Sequence, residues 1–534
     1  MMSRTISPES RFQQKESRPS YMMNLVFLLA LLKFILPFLV QSPAYEPHRD
    51  EFLYLAEGRH MAWGYLEVPP MMSVLAWLTN MMGGGFFWIK IWPSLFGALT
   101  WLVVARLILS LGGRAFALVL GFLPFVFGYY VHVHYMFQPN FLEVFFWTLM
   151  AYGLIRFVQE RKPGWLSISG SAFGLGMLSK YSVAFFAISL LLGLLLTRPG
   201  KVLMNRHFYF AMLTGLGIFL PNLLWQYTHG FPVIYHMKEL QHQQLEKVSQ
   251  SGFLIDQVLF NLPGIFIWVS GLVWVSFTQA GKPYRFIGWA TAIVIGILVA
   301  GHGKSYYGMG AYPVLFGFGA VYLERRTAGR LHFIRYIMIA FTLVVGCFID
   351  TIALPFLPPR QLAAWYAGNS IVRRMGFLRW EDQKDHLLPQ DFADMLSWRE
   401  MTAKMAKAYD GLDSAEKSQA ILDCDNYGEA GAVDYYGPAY HLPSPMGHSA
   451  NYLLWMPRDF YKSNIVILAT DNRKEIHEDF IREFHSAAVV DSITDPYARE
   501  FGSYIIVLKD PSEKFRKDWR AYYESLLQKT SSLH

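Results

Sequence analysis

What most constrains this chain is a succession of apolar runs long enough to cross a bilayer. A predominantly apolar stretch of about 20 residues, wound as a helix, matches the hydrocarbon thickness of a membrane. Eleven such runs read from the sequence: 21–41, 86–109, 114–132, 138–157, 165–179, 182–197, 207–227, 254–278, 284–301, 306–323 and 334–355. Several are short or Gly-rich, notably 165–179 and 306–323, so the expectation is about 11 spans and at most 13. Charged residues make up 16% of the chain and hydrophobic residues 53%, with a mean hydropathy of +0.24. Soluble proteins carry roughly 25% charge. The expected fold class is mainly α, a polytopic transmembrane helical bundle.

Charge on the connecting loops sets an expected orientation, because Lys and Arg collect on the cytoplasmic side. With the N-terminus inside, the inner loops hold Arg114; Arg156, Arg161 and Lys162; Arg198, Lys201 and Arg206; Lys282 and Arg285; and Arg325, Arg326 and Arg330. The outer loops hold fewer unpaired cations: Arg49 and Arg59, Lys180, Lys304, and Lys238 and Lys247 offset by Glu239 and Glu246. The net charge of +7 is therefore read as membrane orientation and not as a nucleic-acid surface. Residues 1–20 read as a cytoplasmic tail, and the first apolar run as a retained helix without a convincing cleavage site. An odd number of spans places the C-terminal part outside. Cys347 and Cys424 lie far apart in different contexts, so neither a disulfide nor a Cys-based metal site is expected.

Residues 21–357 are expected to form the membrane domain. Its first outer loop, 42–85, is long and contains amphipathic pieces such as Met71–Leu78 that suit helices lying in the interface. After Leu357-Pro358-Pro359 the apolar runs shorten to strand length, at 420–422, 465–468, 487–490 and 504–508. Charged helix-like stretches, 473–484 and 512–527, fall between and after them. That alternation implies a small extracytoplasmic α/β domain within 358–534.

Against this background the stretch Pro47-His48-Arg49-Asp50-Glu51-Phe52-Leu53-Tyr54 stands out. Carboxylates near a bilayer are costly unless they face water, a metal or a cation. The plainer reading is a solvated acid pair or a helix N-terminal charge. The functional one is a catalytic base, Asp50, with Glu51 orienting it or binding a metal. Lys180 and Lys304 sit on outer turns, where snorkelling is the ordinary explanation. Together they also suit an anionic headgroup bound near carboxylates. Gly301, Gly303, Gly308 and Gly310 would let backbone approach such a ligand, although the spacing is not that of a P-loop. His132-Val133-His134 and the trio His229, His236 and His242 are weak metal candidates, and no clear ligand set supports a divalent ion. Glu143, inside an apolar run, is a functional candidate by its cost alone. Tyr45, Tyr54, Trp63, Tyr306 and Tyr307 could stack on a sugar or simply belong to the interfacial belt.

Four blocks in order carry a likeness: Arg49–Tyr54 leading to Gly64-Tyr65-Leu66-Glu67-Val68-Pro69-Pro70; Gly174–Tyr181; Pro221–Pro232; and Lys304-Ser305-Tyr306-Tyr307 leading to Tyr312-Pro313. Over about residues 20–355 the chain resembles the GT-C class of integral-membrane glycosyltransferases, in the branch of protein O-mannosyltransferases and lipid A aminoarabinose transferases. The resemblance implies a polyprenyl-phosphate-linked sugar donor, transfer on the outer face with inversion, and an acceptor that is a lipid, protein or polysaccharide. It implies Asp50 as base and Lys180 and Lys304 as phosphate-binding groups, with Tyr54, Glu67, Asn140, Tyr306 and Tyr307 on the substrate. One departure matters. Where related sequences often carry Asp, this chain has Asn140 in Gln138-Pro139-Asn140, which argues against a two-acid or metal-dependent mechanism. A bacterial inner membrane is the expected location. A transporter or flippase is the alternative from another class, disfavoured by the absence of an internal repeat. A catalytically inactive member is the other.

Overall fold

A computed structural model describes residues 20–243, 245–471 and 477–530. The N-terminal tail, apart from its last residue, and positions 473–476 of one helix-like stretch lie outside the described residues. The chain runs through α1 (Ser20–Leu39), α2 (Arg49–Glu57), α3 (Met71–Met81), α4 (Phe86–Ser110), α5 (Ala115–Val126), α6 (Tyr129–Val133), α7 (Asn140–Glu160), α8 (Gly164–Met177), α9 (Val183–Thr197), α10 (Arg206–Thr228), α11 (Pro232–Gln243), α12 (Gln250–Phe260), α13 (Ile265–Phe277), α14 (Arg285–Ala300), α15 (Pro313–Arg326) and α16 (Phe333–Ala353). Every expected apolar run carries helix.

Not every run forms a helix of full spanning length. Among the described residues six helices are long and apolar enough to cross a membrane, or seven if α12 and α13, bent by 62°, count as one span. Helices α5, α8, α9 and α15 have only 12, 14, 15 and 14 residues. At 1.5 Å per residue they reach about 18–23 Å, short of a hydrocarbon core of about 30 Å. The run 114–132 is broken because Pro124 interrupts α5 and Gly128 takes φ 109°, a conformation only glycine adopts cheaply. Helices α13 and α15 touch backbone to backbone. A Cβ on Gly319 would lie 1.8 Å from the Ile267 carbonyl oxygen, the small-residue contact of membrane bundles.

The break between α5 and α6 frees carbonyls that a membrane cannot solvate. Lys33, fully buried on α1, supplies the missing donors: its Nζ lies 2.6 Å from the Phe125 carbonyl and 3.2 Å from that of Tyr130. Lys33→Met should lower thermal stability in detergent by about 1–3 kcal/mol for each carbonyl left unpaired. An unchanged melting curve would show that other groups serve the break.

Beyond the bundle follow α17 (Pro359–Gly368), α18 (Ser370–Arg374), α19 (Gln390–Ala393), α20 (Trp398–Asp410), α21 (Ser414–Lys417) and α22 (Tyr427–Tyr436). Strands β1 (Ala420–Cys424), β2 (Met446–Gly447), β3 (Ile465–Thr470), β4 (Phe484–Ser492) and β5 (Tyr504–Pro511) form one sheet in the order β2-β1-β3-β5-β4. β1 pairs parallel with β2 and β3, Leu422 facing Ile467, and β5 runs antiparallel to both β3 and β4. The four expected strands are all present. In the described part of the stretch 473–484, read as a helix, the short helix Glu478–Ile481 precedes β4, which begins at Phe484. The C-terminal helix Glu513–Thr530 covers the other helical stretch.

Packing does not respect a division at 357/358. Phe52, Leu53 and Ala56 of α2 belong to the same buried cluster as Trp398, Met401, Leu422, Ile467 and Val507. Tyr135 and Met136 join a second cluster with Leu362, Tyr366, Leu388 and Phe392. The segment after the last apolar helix therefore closes over the end of the bundle that carries the first loop.

Candidate active site

Helix α2 begins at His48, whose backbone conformation is extended, and is closed by a reciprocal capping box. The Asp50 N–H donates to His48 Nδ1 (3.1 Å), and the His48 N–H donates to Glu51 Oε2 (3.0 Å). The cap turns Glu51 inward. Its carboxylate is fully buried and takes two further hydrogen bonds, from Lys90 Nζ at 2.5 Å and from the Phe137 N–H at 2.7 Å. Glu51 is thus tied into the protein and does not reach the cavity described next, contrary to its expected place beside the reacting groups.

Asp50, one residue earlier, faces the other way. It lines a mostly polar cavity of about 400 Å³ with His48, Arg49, Tyr129, His132, Gln138, Asn140, Lys304, Tyr306, Asp391 and Tyr427 among others. Its Oδ1 accepts from the Tyr427 hydroxyl (2.9 Å) and its Oδ2 from Gln138 Nε2 (3.1 Å). Tyr427 opens α22 and arrives from far along the chain; Asn426 caps that helix.

The Asn140 departure finds a physical role here. Lys180 Nζ donates to Asn140 Oδ1 (2.7 Å), Asn140 Nδ2 donates to Gln138 Oε1 (3.1 Å), and Gln138 donates on to Asp50. Every donor points toward the carboxylate. An aspartate at 140 has no proton to pass to Gln138 and would break that direction.

Lys180 also contacts Glu143 Oε2 at 2.9 Å and lies 4.0 Å from the Tyr307 ring centroid, a cation–π distance. Glu143, buried at the first turn of α7, takes the Ser182 hydroxyl as well. Burial lowers the Lys180 pKa, Glu143 opposes that, and the charge of Lys304 lowers it further. Lys304 lines the cavity directly, 3.5 Å from Glu381 Oε1. Tyr306 lines it too and packs edge-on against Tyr307 at 4.9 Å. Asp50, Asn140, Lys304 and Tyr306 therefore share one cavity, with Lys180 and Tyr307 behind its wall.

Tyr54 and Glu67 are not among its lining residues. Tyr54 is buried on α2, and Glu67 is half-buried with Oε2 3.4 Å from Asn451 Nδ2, which also holds Glu57 Oε1 at 2.7 Å. Burial, Asp50 and Glu239 push the Glu67 pKa up to about 8. The folded protein then binds a proton that the unfolded chain releases near pH 4.5, so the associated stability is complete below about 4.5 and is lost as pH rises through about 8. Glu67→Gln should flatten the decline of melting temperature between pH 5 and 8 and raise the value at pH 8. A mutant curve parallel to the wild type would remove Glu67 as its source.

His132 and His134 do not converge. His132 lines the cavity, 3.3 Å from Asp391 Oδ2, whereas His134 is fully buried near Lys33 and Tyr130. Among the described residues no three His, Cys, Asp or Glu side chains gather as metal ligands. Asn222 and Gln226 of the third sequence block act as a strap. Asn222 Nδ2 donates to the Trp63 carbonyl (2.8 Å), and Gln226 Nε2 donates to the Tyr181 hydroxyl (3.0 Å). Sequence reasoning missed His48, Lys90, Asp391 and Tyr427. Of these Lys90, a charge inside an apolar run, and His48, at capping-box spacing from Glu51, carried a readable signal.

The chain is similar over parts of its length to known mannosyl- and galacturonosyltransferases. Residues 67–225 match the dolichyl-phosphate-mannose-protein mannosyltransferase family. The fold is similar to ArnT from Cupriavidus metallidurans bound to undecaprenyl phosphate, with a TM-score of 0.62 at 14% identity over 91% of this chain and 98% of that one. The apo ArnT structure gives 0.61 with the same coverage. The lipid A galacturonosyltransferase RgtD of Rhizobium johnstonii is 22% identical over 47% of this chain, and the matched part spans 59% of that relative's length.

Proposed function

We propose that the protein moves a sugar from a polyprenyl phosphate to an acceptor on the extracytoplasmic face of a bacterial inner membrane, with Asp50 as the base. The observation that carries this reading is the junction of Asp50 and Lys304 in one cavity, with Lys180 linked to Asp50 through the Asn140–Gln138 relay. The undecaprenyl phosphate named in the ArnT structure supports the donor class. The acceptor hydroxyl or amine attacks the anomeric carbon and gives its proton to Asp50. The bond from that carbon to the phosphate oxygen breaks, the phosphate keeps the electron pair, and Lys180 and Lys304 stabilise the charge it gains. Attack from the side opposite the phosphate inverts the anomeric carbon.

The test supplies membranes containing the protein with a radiolabelled undecaprenyl-phosphate sugar. Label should pass to an acceptor, and a nucleotide sugar should not replace the donor. Lys304→Met should raise the donor KM by about tenfold or more, the weight of one charge-assisted contact of about 1.5–3 kcal/mol. Equal transfer from a nucleotide sugar would defeat the reading.

A further inference from the structure

We infer that Asp391, carried by α19 beyond the last apolar helix, holds the hydroxyl groups of the transferred sugar, and that this subsite takes a neutral or amino sugar in preference to a uronic acid. The inference rests on the donor reading above and sharpens it to a substrate class.

The Asp391 side chain is 51% exposed, and it lines the same cavity as Asp50. Its Oδ2 lies 3.3 Å from His132 Nε2 and its Oδ1 4.0 Å from His48 Nε2. Burial would raise its pKa, but the hydrogen bond from His132 and the nearby positive charge, Lys304 included, bring it down to about 2. The cavity therefore contains an ionised, accessible carboxylate in addition to the proposed base.

His48 provides an independent sign of a ligand. The residue is 3% exposed, and its Nδ1 is occupied in accepting from the Asp50 N–H, which puts the ring proton on Nε2. Among the described residues that N–H has no hydrogen-bond partner, although it lies 3.6 Å from Asp394 Oδ2. A buried donor left unpaired is unfavourable, and a sugar oxygen between His48 and Asp391 would satisfy it. Asp50 and Asp391 flank opposite edges of this one ring, at 3.9 Å from Nδ1 and 4.0 Å from Nε2. A sugar held at Asp391 therefore sits beside Asp50.

The charges around the subsite decide its selectivity. Arg499 is committed to both oxygens of Asp394, at 3.2 and 3.3 Å. Arg49 lies over the Tyr427 ring at 4.6 Å and faces Asp394, Asp50 and Glu500, and Lys304 faces Glu381. In the cavity lining the four acids Asp50, Glu381, Asp391 and Asp394 outnumber the three cations Arg49, Lys304 and Arg499. Sugar hydroxyls, or an ammonium, donate to the Asp391 carboxylate, whereas a sugar carboxylate meets like charge.

The experiment measures equilibrium binding to the full-length protein in lipid nanodiscs. The probes are undecaprenyl phosphate, its gluco-, galacto- and manno-configured neutral conjugates, their 2-amino analogues and the three matching uronates. At least one neutral or amino conjugate should bind ten-fold or more tightly than its uronate, and Asp391→Asn should shrink that ratio to three-fold or less. Uronates that bind as tightly as every matched neutral and amino conjugate would overturn the subsite, whatever the mutant does. A ratio unchanged in a folded Asp391→Asn protein would overturn the role of Asp391. Failure of undecaprenyl phosphate itself to bind would instead remove the donor reading beneath it.

Discussion

Asp50→Asn should abolish sugar transfer, by about 10²–10⁴-fold, in a protein that folds and still binds a polyprenyl phosphate. The substitution is nearly isosteric. The amide oxygen can continue to accept from Tyr427 or Gln138, which hold Asp50 at 2.9 and 3.1 Å. It cannot take the acceptor's proton. The loss should therefore fall on kcat with the donor KM little changed, and the melting temperature should stay within a few degrees of the wild type. Steady-state kinetics on the purified protein, with a thermal melt of the same sample, reads both. Full activity in Asp50→Asn would move the base elsewhere in the cavity.

Lys90→Met should be the most damaging change to stability. The Glu51 carboxylate is wholly buried, and Lys90, itself 1% exposed, is its only charged hydrogen-bonding partner among the described residues. Removing one member of a buried ion pair strands the other and costs about 3–5 kcal/mol. The ammonium also lies 4.1 Å from the Tyr135 ring centroid, so the packing of the segment leading to Gln138 goes with it. Because Glu51 forms the capping box of α2, the start of the helix bearing Asp50 should loosen, and activity should fall with stability. The double change Lys90→Met with Glu51→Gln should recover part of the melting temperature, since no bare charge is left behind. A single mutant as stable as the wild type would mean that water or another cation reaches Glu51.

Much of the bundle was legible because a membrane helix announces itself by composition alone. The four sheet strands were legible as short apolar runs for the same reason, whereas β2, only two residues long, has no pattern to read. Length was harder to judge. The short helices α5, α8, α9 and α15 look like spans in hydropathy, and the break after α5 depends on Pro124 and Gly128 and on Lys33 across the bundle.

The acid pair shows a limit of another kind. Neighbours on a helix point about 100° apart, so Asp50 and Glu51 could not both face one site. The spacing of His48 and Glu51 is that of a capping box, which would have marked Glu51 as structural. Lys33, Lys90 and Asp350 lay in apolar runs and fell under the same rule that singled out Glu143. Asp391 gave no such sign, and Tyr427 lies in the block Asp425–Gly437, whose family-like pattern left its role open. They reach the cavity only because the chain after residue 358 folds back over the first loop, a tertiary event that spacing does not encode.

The central claim is that Asp50, Lys180 and Lys304 act on one polyprenyl phosphate. A structure of the full-length protein with undecaprenyl phosphate tests it most directly. The phosphate is expected in the cavity beside Asp50, within hydrogen-bonding reach of Lys304 and next to the Asn140–Lys180 wall. A phosphate seated elsewhere, with both lysines still paired to Glu381 and Glu143 and the cavity holding only water, would contradict it.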